Sequence, residues 1–143
     1  MSERFVPEEL QRLSKGKIAR LPPCVQLLQG NPLEVDAGQK VTHLFPVSEQ
    51  FTNAVGSMQG GFITAAFDNV FGHLGYMISA GRQIATLDIN TTFIRPVFPG
   101  DQLRITVHLK HCGKTVAYME GEAVNSEGHT IACAQTHIIF LNE

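Results

Sequence analysis

The most informative stretch of this 143-residue sequence covers residues 53–77 and reads NAVGSMQGGFITAAFDNVFGHLGYM. Its turn-like start leads through the glycine pair Gly60 and Gly61 into an apolar segment, in which the acidic or basic residues are Asp68 and His73. Apolar residues occupy nearly every position of a helical wheel, a pattern that predicts a buried helix. The segment falls short of the ~20 apolar residues that a membrane span needs. We therefore expect protein around this helix.

Asp68 is the anomaly in the predicted helix. Aspartate is a mediocre helix former, and a buried carboxylate must be paired, hydrogen-bonded or functional. We therefore take Asp68 as the first candidate for a functional residue. The alternative is a buried carboxylate that is satisfied by Asn69, Thr64 or a backbone donor and has no role in chemistry.

Length and composition predict a single domain over residues 1–143. The formal net charge of −2 argues against a partner that is nucleic acid or an anionic membrane. The N-terminus lacks the apolar core of a secretory signal, so we expect a cytoplasmic protein. The three cysteines form no CxxC pair, and the histidines show no metal-ligand spacing, which predicts reduced thiols and neither metal nor cofactor.

The order of the predicted elements indicates an α+β domain. Residues 1–29 form an N-terminal extension with a short helix over residues 7–17, and residues 24–29 are compatible with a helix or a strand. Alternating apolar residues and turn signals predict a hairpin and then, after the long helix, about four antiparallel strands. A single helix covers one face of such a sheet. We expect the other face to be covered in a subunit interface.

Two features of the long helix suggest chemistry at a carbonyl group. The Gly60 and Gly61 N–H groups lie at its positive end, where they can stabilise negative charge on an oxygen. Asp68 can act as a base toward water or as a nucleophile. Eight residues of helix correspond to about 12 Å, too far for Gly60 and Asp68 of one chain to share a reacting carbon. If both are catalytic, they come from different subunits.

Several motifs at matching spacings resemble those of hotdog-fold acyl-CoA thioesterases of the phenylacetic-acid-degradation type. The resemblance covers roughly residues 30–141, and its combination of motifs is far more specific than any single one. The motifs are Asn53, Gly60-Gly61, Asp68, Thr86, the exit Arg95-Pro96-Val97 with Gly100-Asp101, and the turns Gly113-Lys114 and Glu127-Gly128.

The resemblance implies a fold, an assembly and a set of roles. In the family, an antiparallel sheet wraps one long helix, the chains form dimers with shared active sites, and the dimers commonly pair into tetramers. Asp68 is then the base or nucleophile for the thioester carbon, and the Gly60 N–H polarises the thioester carbonyl. Asn53 positions water or the carbonyl near the opposite subunit's Asp68, and Thr86 holds the attacking water.

One departure from the family pattern concerns the residue before the glycine pair. The family reads His-Gly-Gly, and this chain reads Gln59-Gly60-Gly61. A glutamine can orient the turn or the substrate through hydrogen bonds, but it cannot take up a proton. We therefore expect Gln59 and Gly61 to bind substrate, and the chain to hydrolyse an acyl-CoA thioester. The alternatives are a hotdog dehydratase or hydratase, on coenzyme A or acyl-carrier-protein substrates, and a non-catalytic acyl-CoA binder.

Overall fold

A computed structural model of the chain describes residues 21–142. The helix expected over residues 7–17 lies outside them. A short helix, α1 (Pro23–Leu28), opens the described region and resolves the choice between helix and strand there. Pro23 suits the first turn of this helix because it has no N–H to leave unpaired.

The described residues form one antiparallel sheet of six strands, with strand order β1-β2-β4-β5-β6-β3. The predicted hairpin is confirmed, as are the four strands that follow the long helix. The strands are β1 (Asn31–Asp36), β2 (Lys40–Pro46), β3 (Ile84–Phe93), β4 (Gln102–Cys112), β5 (Val116–Val124) and β6 (Thr130–Phe140).

The long helix, α2 (Gly60–Ile78), packs against one face of this sheet. Its buried face meets the inward side chains of the strands in a single core. Gly75 allows close approach to the sheet, since a Cβ there would lie 2.7 Å from Ile84 Cδ1. The predicted α+β architecture, one sheet wrapped around one long helix, is confirmed. The largest fully buried side chains include Phe45, Phe67, Phe71, Leu74, Leu103, Ile105, Met119, Ile131 and Ile138.

The outer face of the sheet is polar. Side chains on neighbouring strands bond to one another there, as in the pair of His137 and Asp88, whose Nδ1 and Oδ1 atoms are 3.0 Å apart, and in the bond from Tyr118 to Gln135. Such a face is stable in water. The expectation that a subunit interface covers this face stays a prediction.

The spacing of the histidines in the sequence suggests that they are scattered, but two of them meet in the folded chain. His43 on β2 and His73 on α2 are both buried, and His43 Nε2 lies 2.8 Å from His73 Nδ1. Burial, and secondarily the charge of His73, lowers the pKa of His43 from 6.5 to about 3. This pair joins the helix to the sheet in the core, and no local spacing rule connects residues 30 positions apart.

The depressed pKa of His43 predicts a loss of stability in acid. Below pH 6.5 the unfolded chain binds a proton at this residue that the folded chain does not bind until about pH 3. The free energy of unfolding should therefore fall with decreasing pH between these values, by up to about 1.4 kcal/mol per pH unit from this group. Urea unfolding at a series of pH values measures this slope.

The variant His43→Gln, which does not titrate, should show a shallower slope over the same pH range. The matched control is His108→Gln, which replaces an exposed histidine of β4 and leaves the buried pair intact. Equal slopes for the wild type and His43→Gln would contradict the assignment.

Candidate active site

The N-terminus of α2 presents two backbone donors. Gln59 is the N-cap residue, with extended backbone at φ −62° and ψ 139°, and its side chain makes no capping hydrogen bond. Within residues 21–142, no protein group accepts a hydrogen bond from the N–H groups of Gly60 and Gly61. These donors lie at the positive end of the helix dipole, where they can bind a carbonyl or carboxylate oxygen.

Gly60 has a steric reason to be glycine. A Cβ at this position would lie 2.8 Å from Phe93 Cζ and 3.1 Å from two further atoms of the ring. The Phe93 side chain is 51% exposed, so the ring covers the first turn of the helix and also faces outward. It forms an apolar wall beside the two N–H donors.

Asn53 closes the loop that leads into α2. Its Oδ1 accepts hydrogen bonds from the backbone N–H groups of Val55 and Ser57, at 3.0 and 3.2 Å, and its Nδ2 donates to Ser57 Oγ at 2.9 Å. A turn role, the common use of asparagine, thus occupies the amide oxygen. One Nδ2 hydrogen is left over, because the amide carries two.

Backbone hydrogen bonds fix the end of this loop to the strand exit. The Met58 N–H donates to the Val97 carbonyl at 2.9 Å, and the Gln59 N–H donates to the Phe51 carbonyl at 2.8 Å. The segment Arg95-Pro96-Val97 therefore does more than end β3. It holds Met58, two residues before Gly60, while Phe51 holds Gln59.

Asp68 and Thr86 are brought together. Thr86 Oγ1 on β3 donates to Asp68 Oδ1 on α2 at 3.2 Å, so the partner of Asp68 is neither Asn69 nor Thr64. Our expectation of a buried Asp68 is wrong for the single chain, in which the residue is exposed because it lies on the rim of the helix beside an edge strand.

The carboxyl of Asp68 has an altered acidity despite this exposure. Neighbouring protein atoms partly remove water from it, and this desolvation raises its pKa above the usual 3.8, while the hydrogen bond from Thr86 acts in the opposite direction. A carboxylate with a raised pKa is a better base than an ordinary aspartate. Asp68 is therefore fit to accept a proton from water.

Three pairs of residues define a helix–strand seam along the outer rim of α2 and β3. In the middle of the seam, Thr64 Oγ1 donates to Thr91 Oγ1 at 2.9 Å. No motif in the sequence points to Thr91, although Thr64 shares one helix face with Gly60 and Asp68, four residues to either side. The pairs are Gly60 with Phe93, Thr64 with Thr91, and Asp68 with Thr86.

The seam separates the two ends of the site. Gly60 and Asp68 belong to the same unbroken helix, eight residues and about 12 Å apart along its axis. One carbonyl group cannot contact both the Gly60 N–H and the Asp68 carboxylate of the same chain. The two groups therefore lie at opposite ends of the seam.

Arg82 is already committed to holding the chain together. Its guanidinium donates to the backbone carbonyls of Lys114 and Phe140, at 2.8 and 2.9 Å, and stacks over the Phe140 ring. These contacts tie the end of α2 to the turn between β4 and β5. They leave little of its donor capacity for an anionic ligand.

Among residues 21–142, no three His, Cys, Asp or Glu side chains come together as metal ligands. No helix of the same residues has the length and apolarity to cross a membrane. The expectation that the reaction needs neither metal nor cofactor stays a prediction.

Comparison with known proteins points to one family. The family model described as Thioesterase superfamily matches residues 55–132, more than half of the chain. The human protein acyl-coenzyme A thioesterase 13 is 30% identical over 86 residues, which are 60% of this chain and 61% of that protein. The chain thus matches less than two thirds of the length of this relative.

Solved structures agree in fold. The PaaI protein from the phenylacetic acid degradation operon of Escherichia coli superposes with a TM-score of 0.80 at 21% identity, over 96% of this chain and 97% of that one. A phenylacetic acid degradation-related protein of Ralstonia eutropha gives a TM-score of 0.76 at 29% identity, over 91% and 98% of the two chains. The hotdog fold expected from the sequence motifs is confirmed.

Proposed function

This chain belongs to the thioesterase superfamily, and from that premise we propose that it hydrolyses acyl-CoA thioesters to a free acid and coenzyme A. The observation that carries the proposal is the helix–strand seam, with unpaired N–H donors at one end and the Asp68 carboxylate, held by Thr86, at the other. The name of the human relative, an acyl-coenzyme A thioesterase, supports the choice of substrate.

In the proposed reaction, Asp68 removes a proton from a water molecule as the water oxygen attacks the thioester carbon. The Thr86 hydroxyl donates its hydrogen to Asp68, so its lone pairs remain to accept a hydrogen bond from that water. The carbonyl oxygen becomes an oxyanion that the Gly60 N–H and the helix dipole stabilise. Collapse of the intermediate breaks the carbon–sulfur bond, and the proton on Asp68 passes to the departing thiolate.

Direct attack by the Asp68 carboxylate on the thioester carbon is the alternative route. It forms an acyl-enzyme anhydride, which water then hydrolyses to free carboxylate and acid. The hydrogen bond from Thr86 favours the first route, since it places a water-binding hydroxyl beside the carboxylate. Both routes require Asp68 in its ionised form.

The remaining predicted site residues take binding roles in this proposal. Gln59 and Gly61 line the approach to the Gly60 N–H, and the Gln59 side chain forms no hydrogen bond within residues 21–142 that would prevent it from contacting substrate. Asn53 shapes the loop and has one Nδ2 hydrogen left to donate to water or to the substrate carbonyl.

We propose a dimer in which each active site combines the Gly60 end of one chain with the Asp68 end of the other. The separation of about 12 Å within one chain supports this arrangement. In the described sheet, β3 pairs on one side with β6 and leaves its other edge open, next to the half-exposed side chains of Leu87, Phe93 and Ile94. Such an edge is a template for pairing with a second chain.

A tetramer built from two such dimers and a cytoplasmic location complete the proposal. The polar outer face of the sheet offers hydrogen-bonding groups to a second dimer. All three cysteines are exposed and unpaired, which suits a reducing compartment.

The central test follows thiol release from a panel of acyl-CoA thioesters. We expect Asp68→Asn, which keeps the size of the side chain but cannot accept the proton, to lower kcat by about 10²–10⁴-fold. The matched control is Asp88→Asn, which removes an exposed carboxylate on the other face of the sheet. Reactions without substrate correct for the protein's own thiols.

The outcomes separate the alternatives. Release that is unaffected by Asp68→Asn would contradict the mechanism. Binding of acyl-CoA without release would favour the non-catalytic binder, and water addition or loss without thiol release would favour the hydratase or dehydratase.

A second test removes the proposed oxyanion donor. Proline is tolerated at the first position of a helix, and the extended backbone of Gln59 suits a residue before proline. In a Phe93→Ala background, which makes room for a Cβ, Gly60→Pro should lower kcat by about 10²–10³-fold because it deletes the N–H. Gly60→Ala in the same background keeps the N–H and is the control. Equal activities of the two double variants would exclude this donor from the reaction.

A further inference from the structure

The middle of the helix–strand seam carries a pair of hydroxyl groups with no assigned role. Thr64 lies four residues after Gly60 and four before Asp68, on the same face of α2. Mid-helix threonines often bond to the carbonyl four residues earlier. Thr64 instead donates across to Thr91 on β3, at 2.9 Å.

This pair has free hydrogen-bonding capacity. Thr91 Oγ1 accepts the hydrogen of Thr64, and within residues 21–142 no group accepts the hydrogen of Thr91 itself. Both residues are half-buried and lie where α2 packs beside the edge strand β3. The Thr91 hydroxyl can therefore donate to an oxygen brought by a ligand and can also accept a hydrogen bond from it.

From this placement we propose that the Thr64–Thr91 pair binds an oxygen atom of the acyl group, so that the enzyme prefers acyl-CoA thioesters with a hydroxyl or oxo group near the thioester. The inference rests on the proposed function, which puts the thioester carbonyl at the Gly60 N–H. Thr64 lies about 6 Å further along the helix axis. Three links cover that distance: a hydrogen bond from the Gly60 N–H to the carbonyl oxygen, the few covalent bonds from that oxygen to an oxygen on carbon 3 of the acyl group, and a hydrogen bond between that second oxygen and the threonine pair.

A purely structural role is the alternative, and the chain contains a pair that illustrates it. Thr42 and Thr106 face each other across β2 and β4, with their hydroxyl oxygens 2.9 Å apart. That pair joins two neighbouring strands on the outer face, away from Gly60 and Asp68. It provides a matched control, because Thr106 is half-buried like Thr91.

The test compares 3-hydroxyhexanoyl-CoA with hexanoyl-CoA as substrates and measures the ratio of their kcat/KM values. We expect the wild type to favour the hydroxylated substrate by about tenfold, the effect of one good hydrogen bond. Thr91→Val should bring the ratio close to one, because it lowers kcat/KM for the hydroxylated substrate more than for hexanoyl-CoA, which makes no such bond. Thr91→Ser, which keeps the hydroxyl, and Thr106→Val should both retain the preference.

Each other result overturns the inference in an identifiable way. Hydrolysis that depends on Asp68 but shows no preference, or a preference that survives in Thr91→Val, contradicts the role of the hydroxyl pair and leaves the proposed function standing. Absence of hydrolysis with every acyl-CoA of the panel contradicts the proposed function as well, and hydrolysis that is undiminished in Asp68→Asn contradicts its mechanism.

Discussion

The contact between α2 and β3 is the interaction on which the site depends. The strand runs antiparallel to the helix along its rim, and four contacts between them join a small or polar helix residue to a strand side chain. Gly75 admits the Ile84 side chain at one end, and Gly60 admits the Phe93 ring at the other. Between these ends, Thr64 and Asp68 reach across to hydroxyl groups on β3. The packing that closes the core thus also orients the polar groups of the site.

The straightness of the helix imposes the second constraint. An α-helix keeps residues eight positions apart at a fixed separation of about 12 Å, and no side-chain movement brings the Gly60 N–H to the carboxylate of Asp68. A carbonyl that needs both groups must therefore lie between two chains. In this account, the open edge of β3, which would be a liability in a monomer, serves to assemble the active site.

Much of the fold and part of the site could be predicted from the sequence. The strict alternation of apolar residues in β4 and the apolar helix around Asp68 fixed the architecture, because periodicity reflects which face is buried. The partnership of Asp68 with Thr86 follows the family resemblance. The pairs of His43 with His73 and of Thr64 with Thr91 could not be foreseen, since each depends on the register between a helix and a distant strand. The exposure of Asp68 was missed because a helical wheel does not show that β3 is an edge strand.

Subunit complementation tests the two-chain site most directly. One chain carries Gly60→Pro with Phe93→Ala and the other carries Asp68→Asn, so each variant alone lacks one half of every site. Joining the two variant chains through a flexible linker in one polypeptide favours the mixed dimer within the proposed tetramer as well, and one of the two sites of that dimer is intact. The account predicts about half of the wild-type activity per dimer. Activity no higher than that of the two parent variants would show that Gly60 and Asp68 act within one chain, and would contradict the shared site.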